Sequence, residues 1–144
     1  DRQQMLIVAA VGNCGDSLGT NLDCDPEFTS SDEPLISSPA QAKNVIGVGA
    51  SINYGNNEGD INTLAYFSSR GPSIDGRIKP DVVAAGYSLL SSSGGSDYGK
   101  ETCGFDSRQG TSMATPMVAA SAALVRQYFR EGWYNSKGTA PIAE

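Results

Sequence analysis

Apolar residues are concentrated in four stretches of this chain, and polar, glycine-rich segments separate these stretches. Three of them are short: residues 5–11, residues 44–51 and the run that follows Asp81. Continuous apolar runs of this length are typical of strands that are buried on both faces of a parallel sheet. Asn13 follows the first run, and the carboxyl ends of such strands are where open α/β sheets bind ligands. The pattern therefore predicts three core strands and a site at their carboxyl ends.

The fourth stretch begins near Ser112 and has the period of an α-helix. Its apolar positions cover all sides of the first two thirds, which predicts a buried helix. Pro116 requires a start close to Ser112, and Gly132 is a suitable stop. Thr111 is suited to cap this helix, which would place Ser112 at the first position, at the positive end of the helix dipole. The apolar or small positions are Met113, Met117, Ala120, Leu124 and Tyr128, with Ala114, Val118, Ala122, Val125 and Phe129 beside them.

The remaining segments are predicted to be loops. Residues 16–33 are polar and acidic and lack a helical period, so a solvated surface loop is favoured over a calcium site, and no EF-hand spacing is present. Residues 53–60 are rich in turn-forming residues and predict a surface hairpin loop. Residues 88–109 are rich in serine and glycine and are also expected to form a loop.

Composition narrows the classes of function. The chain has 144 residues, 39% of them hydrophobic, which is enough for one small domain. Its net charge of −6 argues against a nucleic-acid partner, and no apolar run is long enough to span a bilayer. The chain begins almost directly in a strand, so we expect residues 1–144 to be one part of a larger domain.

Three cysteines, Cys14, Cys24 and Cys103, leave an odd thiol if two of them pair. A Cys14–Cys24 bridge would close the loop after the first strand, and three unpaired thiols are the alternative. Their spacing does not fit a zinc site.

A serine at the mouth of a helix is most often a cap, and a catalytic role needs further support. A serine hydroxyl becomes a good nucleophile only when a base removes its proton, and the usual base is histidine. The chain contains no histidine, so it cannot hold a complete Ser-His-Asp triad by itself.

The string Gly110-Thr111-Ser112-Met113-Ala114-Thr115-Pro116 resembles the nucleophile motif of the subtilisin-like serine peptidases, the subtilases of peptidase family S8. The similarity extends from about Met5 to Gly132, in the family's order. It includes four further segments, namely residues 8–15, 36–50, 64–72 and 78–86.

This resemblance implies an α/β, partial subtilisin-like three-layer fold, with a mostly parallel sheet and a buried central helix that starts at Ser112. It also implies a serine endopeptidase in which Ser112 is the nucleophile. Asn13 contributes its side-chain amide, and Ser112 its backbone N–H, to an oxyanion hole. The candidate substrate-binding residues implied are Ala10, Val11, Gly12, Ser37 and Ser38. The tight turn at Ser38 makes a cis Ser38–Pro39 peptide bond an expectation.

In subtilases the catalytic aspartate and histidine precede the oxyanion asparagine. The resemblance therefore implies that a missing N-terminal segment or a partner chain supplies them, and that this chain alone is inactive. It further implies a polypeptide substrate, a secreted or vesicular location and no cofactor for the chemistry. Structural calcium stays open, and Asp81 is expected to cap backbone rather than join a weak cation site.

Two other functions are alternatives to a serine endopeptidase. An α/β-hydrolase esterase needs a Gly-x-Ser-x-Gly elbow, and Ala114 stands where that elbow requires its second glycine. A catalytically inactive subtilase-like scaffold or binding domain is the stronger alternative, because the chain has no histidine.

Overall fold

The computed structural model of the chain describes residues 5–15, 36–53, 62–93 and 104–133. The predicted acidic loop of residues 16–33 lies outside the described residues, as does most of the predicted hairpin loop of residues 53–60. The described residues on either side of that second loop pair in antiparallel fashion, through a bridge between Ser51 and Leu64.

A parallel sheet of three strands forms the centre of the structure, as the apolar runs predict. Its strands are β1 (Ile7–Ala10), β2 (Val45–Ser51) and β3 (Val82–Ala85), in the order β1-β2-β3. Val8 is paired with Ile46, and Val48 with Val82. Because all three strands run the same way, their carboxyl ends lie at one edge of the sheet.

The helix α1 (Thr111–Arg130) follows, and it begins one residue before Ser112. Pro116 therefore lies inside the helix, in its second turn. At the other end, Gly132 has a φ of 72°, its N–H donates to Phe129 O, and Trp133 N–H donates to Tyr128 O. These two bonds form a Schellman motif, which confirms Gly132 as the stop.

Each face of the sheet carries its own apolar cluster. Val48, Ala50 and Ala114 belong to the cluster on the helix side, together with Ala65 and Phe67. Ala9, Val11 and Val45 belong to the other cluster, together with Ile36 and Ala40. Successive residues of a strand point to opposite faces, so the alternation along β1 and β2 explains the two clusters.

The predicted burial of α1 is wrong for this chain. Only Thr111 and Ala114 are buried among the helix residues, whereas Leu124 is 66% and Val125 is 55% exposed. The three-stranded sheet contacts one side of the helix near its N-terminus, where Ala114 and Val118 pack against it. The apolar pattern on the remaining sides has no cover within the described parts of the chain.

The prediction of a simple loop over residues 88–109 is also wrong in part. Strands β4 (Leu89–Ser93) and β5 (Gly104–Arg108) form an antiparallel hairpin that leads into the start of α1. Its strands are short and carry mostly polar residues, so the hydrophobic period that would have identified them is absent.

Three peptide bonds before proline are cis, namely Ser38–Pro39, Gly71–Pro72 and Lys79–Pro80. The first of these confirms the expectation from the sequence. None of the helices within the described ranges has the length and apolar character that crossing a membrane requires. The described residues also hold no group of three or more histidine, cysteine, aspartate or glutamate side chains placed to bind a metal ion.

Candidate active site

Asn13 and the start of α1 are joined directly. The Asn13 Oδ1 atom accepts a hydrogen bond from Thr111 N–H at 2.9 Å and a second from the Thr111 hydroxyl at 3.0 Å. Asn13 reaches this position because it lies three residues beyond β1, at the carboxyl edge of the sheet. The predicted meeting of the strand end and the helix start is therefore present.

The two hydrogen bonds also orient the Asn13 amide. Since Oδ1 is the acceptor for Thr111, the NH₂ group forms the opposite, donor end of the same planar amide. This amide lies along Gly110, where an added Cβ would stand 3.5 Å from Nδ2 and 3.6 Å from Oδ1. A hydrogen-bond donor is thereby held next to the residues that immediately precede Ser112.

Ser112 itself is exposed, although Thr111 before it is buried. Its backbone N–H belongs to the first turn of α1, where N–H groups have no acceptor within the helix. The N-terminal end of the helix dipole favours negative charge at this point. Ser112 thus presents both a hydroxyl and a backbone N–H donor at the exposed N-terminus of α1.

The capping residue differs from the expectation. Gly110 is the N-cap and has no side chain to cap the helix, so Thr111 is not the cap, and both its N–H and its hydroxyl bond to Asn13 Oδ1 instead. Gly110 has a φ of 149°, a conformation that residues with a Cβ rarely adopt. Its N–H donates to Gly86 O at 2.8 Å, which ties the turn before Ser112 to the end of β3.

The candidate substrate-binding residues on two segments lie close together. Ser37 N–H donates to Val11 O at 2.9 Å, and the Ser37 hydroxyl is 3.5 Å from Ala10 O. A Cβ added to Gly12 would stand 3.1 Å from the Ser37 Oγ and 3.0 Å from the Ser69 Oγ. Because Gly12 has no side chain, a space remains at this position, and the Ser37 and Ser69 hydroxyls border it.

Val11 and Ser38 differ within this group. The Val11 side chain is fully buried, and its backbone groups bond to Val48 O and to Ser37 N–H. Val11 can therefore hold the neighbouring candidate residues in place through its backbone, but its buried side chain cannot contact a substrate. Ser38 is exposed, within the turn of residues 38–41.

Two polar residues to which the sequence analysis gave no role in the site also shape this edge. Thr111 positions the Asn13 amide, and the buried Ser69 hydroxyl accepts Cys14 N–H at 3.0 Å. The sequence shows the Thr111 hydroxyl beside Ser112. It does not show that this hydroxyl bonds to Asn13, because Asn13 lies 98 residues earlier in the chain. Cys14 is disulfide-bonded, and its partner lies outside the described residues.

Asp81 caps backbone, as predicted. Its Oδ2 accepts Gly47 N–H at 2.7 Å, and it also accepts the Lys79 ammonium, whose side chain is only 2% exposed. Burial by itself would raise the pKa of Asp81, but the hydrogen bonds from Lys79 and Gly47 outweigh it and hold that pKa below its ordinary value. The Lys79 ammonium supplies a positive charge directly beside the Asp81 carboxylate.

Comparisons with known proteins show the family of this chain. The sequence model of the Subtilase family matches residues 1–139. AprX, a serine protease of Bacillus subtilis (strain 168), is 37% identical over 103 residues, which are 67% of this chain and 23% of AprX. The CO(2)-response secreted protease of Arabidopsis thaliana is 44% identical over 70 residues, covering 44% of this chain and 9% of that protein.

The solved structure of sphericase superposes with a TM-score of 0.51 at 30% identity, over 83% of this chain and 33% of that chain. The chain thus spans less than a quarter of the two sequence relatives and about a third of this structure. Since the family model covers almost the whole of the sequence, the chain belongs to the subtilase family.

Proposed function

We propose that this chain supplies the nucleophile and the oxyanion hole of a serine endopeptidase. The observation that carries the proposal is the pair of hydrogen bonds from Thr111 to Asn13, because it places a carboxamide beside the helix mouth that presents Ser112. Membership of the subtilase family supports peptide-bond hydrolysis as the reaction class. The exposure of Ser112 leaves its hydroxyl accessible to a substrate.

In the proposed reaction, the Ser112 Oγ attacks the carbonyl carbon of the scissile peptide bond. Its proton passes to a histidine outside this chain, and the carbonyl oxygen becomes an oxyanion. The Asn13 NH₂ group and the Ser112 backbone N–H donate to that oxyanion, and neither has to reorganise as the charge develops. Collapse of the intermediate expels the amine, which takes the proton, and water then hydrolyses the acyl-enzyme ester by the same route.

Four residues form the proposed wall of the pocket for the substrate side chain, namely Ala10, Gly12, Ser37 and Ser38. The position of Gly12 supports this, since Gly12 directly precedes Asn13 in the chain and an added Cβ there would stand 3.1 Å from the Ser37 Oγ. Val11 is proposed to stabilise this wall through its backbone, whose carbonyl accepts the Ser37 N–H. The proposed chemistry uses no cofactor.

The catalytic histidine and aspartate are proposed to come from another segment or chain of the same enzyme. The absence of histidine from the 144 residues supports this. A secreted or vesicular location is also proposed, supported by the similarity to a protease described as secreted.

Labelling with a fluorophosphonate tests the proposal, because an activated serine attacks the phosphorus of this reagent, displaces fluoride and becomes phosphonylated. The complete catalytic unit should be labelled at Ser112, the isolated chain should not, and Ser112→Ala should abolish the signal. Ser121→Ala is the matched control, since Ser121 is an exposed serine of the same helix that donates to Met117 O. No labelling of the complete unit would favour the inactive scaffold.

A further inference from the structure

A short loop of residues 71–79 packs against the turn that carries Ser37 and Ser38. Gly71 N–H donates to Lys79 O at 3.0 Å, and Ser73 N–H donates to Arg77 O at 2.9 Å, so the loop is closed on itself. The Ser73 side chain is buried and donates to Asp75 Oδ1 at 2.7 Å. The loop is therefore an ordered element that holds Asp75 and Arg77 in a defined relationship.

Arg77 links this loop to the turn. Its Nε donates to both carboxylate oxygens of Asp75, at 2.8 and 2.9 Å, while its Nη2 donates to the backbone carbonyl of Gln41. The hydrogen bond from Arg77, followed by that from Ser73, lowers the pKa of Asp75 to about 2. The carboxylate thus stays charged at neutral pH and orients the guanidinium toward Gln41.

Both ends of the Gln41 side-chain amide form hydrogen bonds. Its Nε2 donates to Ile36 O at 2.8 Å, and its Oε1 accepts Ile74 N–H at 3.1 Å. Ile36 directly precedes Ser37, so the first bond closes residues 36–41 into a ring. The second bond ties that ring to the loop.

The ring is also attached to the end of β1, where Ser37 N–H bonds to Val11 O and the Ser37 hydroxyl lies 3.5 Å from Ala10 O. Because Ser37 and Ser38 are exposed, packing does not enclose their side chains. The buried side chains of Ile36 and Ala40 and the hydrogen bonds of the ring together hold Ser37 beside Gly12, so a shift of the ring would change the space there.

We propose that Asp75 and Arg77, acting through Gln41, are positioning residues that set the shape of the pocket for the substrate side chain preceding the scissile bond. The proposal rests on the proposed function, since it takes Ser37 and Ser38 as the pocket wall. None of the three residues has to touch the substrate.

The test uses the complete catalytic unit and two peptide substrates that differ only in the residue before the scissile bond, alanine in one and phenylalanine in the other. Arg77→Met removes the bond to the Gln41 carbonyl. Gln41→Glu keeps the acceptor for Ile74 N–H but loses the donor to Ile36 O. Lys43→Met is the matched control, because Lys43 pairs with the same Asp75 at 4.0 Å, is 80% exposed and, among the residues that the structure describes, makes no side-chain bond to the ring.

We expect the ratio of kcat/KM for the two substrates to change about tenfold in Arg77→Met and Gln41→Glu, mainly through KM. Labelling of Ser112 by a small fluorophosphonate, which does not enter the pocket, should stay within about twofold of the unsubstituted enzyme. Lys43→Met should leave both readouts unchanged.

An unchanged ratio in both folded variants would overturn the inference, as would an equal loss on both substrates together with slower labelling, since that pattern indicates general damage. If Arg77→Met does not fold, Arg77→Lys provides the same readout, because a lysine cannot bond to Asp75 through a guanidinium fork and reach Gln41 O together. Failure of the unsubstituted enzyme to be labelled would remove the proposed function itself, so the two failures are distinguishable.

Discussion

Thr111 donates both its backbone N–H and its hydroxyl to the same oxygen of Asn13, at 2.9 and 3.0 Å, across 98 positions of sequence. A neutral hydrogen bond contributes about 1 kcal/mol net, so two of them on one acceptor hold the amide in a single orientation. The residue beside the proposed nucleophile therefore positions the proposed oxyanion donor.

Replacing Thr111 by valine should lower kcat about tenfold, because the hydroxyl bond to Asn13 is lost and the backbone bond is kept. Loss of the Asn13 amide should cost more, roughly 10²–10³ in kcat, a magnitude taken from a subtilisin rather than derived from this structure. Thr115→Val is the control, since the Thr115 hydroxyl bonds only within the helix, to Thr111 O. Equal effects of the two threonine variants in steady-state assays would contradict the positioning role.

The pair of buried Lys79 and exposed Asp81 predicts unequal effects on stability. Asp81→Ala leaves the Lys79 ammonium, 2% exposed, without its carboxylate and should lower the free energy of unfolding by about 3 kcal/mol. Lys79→Met should cost less, because Asp81 is 41% exposed and can be solvated. Urea unfolding of the complete catalytic unit measures both, and a greater loss in Lys79→Met would refute this account.

Asp75 predicts a pH-dependent contribution to stability. Its pKa falls from 3.8 to about 2 on folding, so its carboxylate stabilises the fold above about pH 4 and loses that effect as the pH falls through about 2. Asp75→Asn should therefore unfold at lower denaturant concentration than the unsubstituted protein near neutral pH, and the difference should shrink toward pH 2. Unfolding midpoints at several pH values check this, and a difference that is constant with pH would rule it out.

The uncovered side of α1 predicts self-association of the isolated chain. Leu124, Val125, Tyr128 and Phe129 are each between 46% and 66% exposed, which is unusual for a water-facing helix surface. We expect light scattering to show oligomers or aggregates, and Leu124→Gln combined with Val125→Gln to shift the mass toward a monomer. Ser121→Gln, at an exposed polar position, should not. A monomeric chain that melts cooperatively would contradict the prediction.

Local patterns were sufficient to predict much of the fold. The runs around Val8, Val48 and Val83 identified three strands, and the helical period with Gly132 identified α1 and its end. These signals depend only on which residues alternate or recur along the chain. The β4-β5 hairpin was missed because its strands carry few apolar residues.

The nucleophile string and the Gly-Asn turn were likewise visible in the sequence, together with the absence of a histidine. Neither the exposure of α1 nor the partner of the Thr111 hydroxyl was visible, because burial and long-range hydrogen bonds depend on which elements lie beside each other. The link from Asp75 through Arg77 to Gln41 spans 34 or more positions and has no periodic signal. The sequence by itself therefore determined the three parallel strands, α1 and the identity of the candidate reactive groups. Only the tertiary structure decided which groups meet, since such contacts arise when the parallel strands bring their carboxyl ends to one edge.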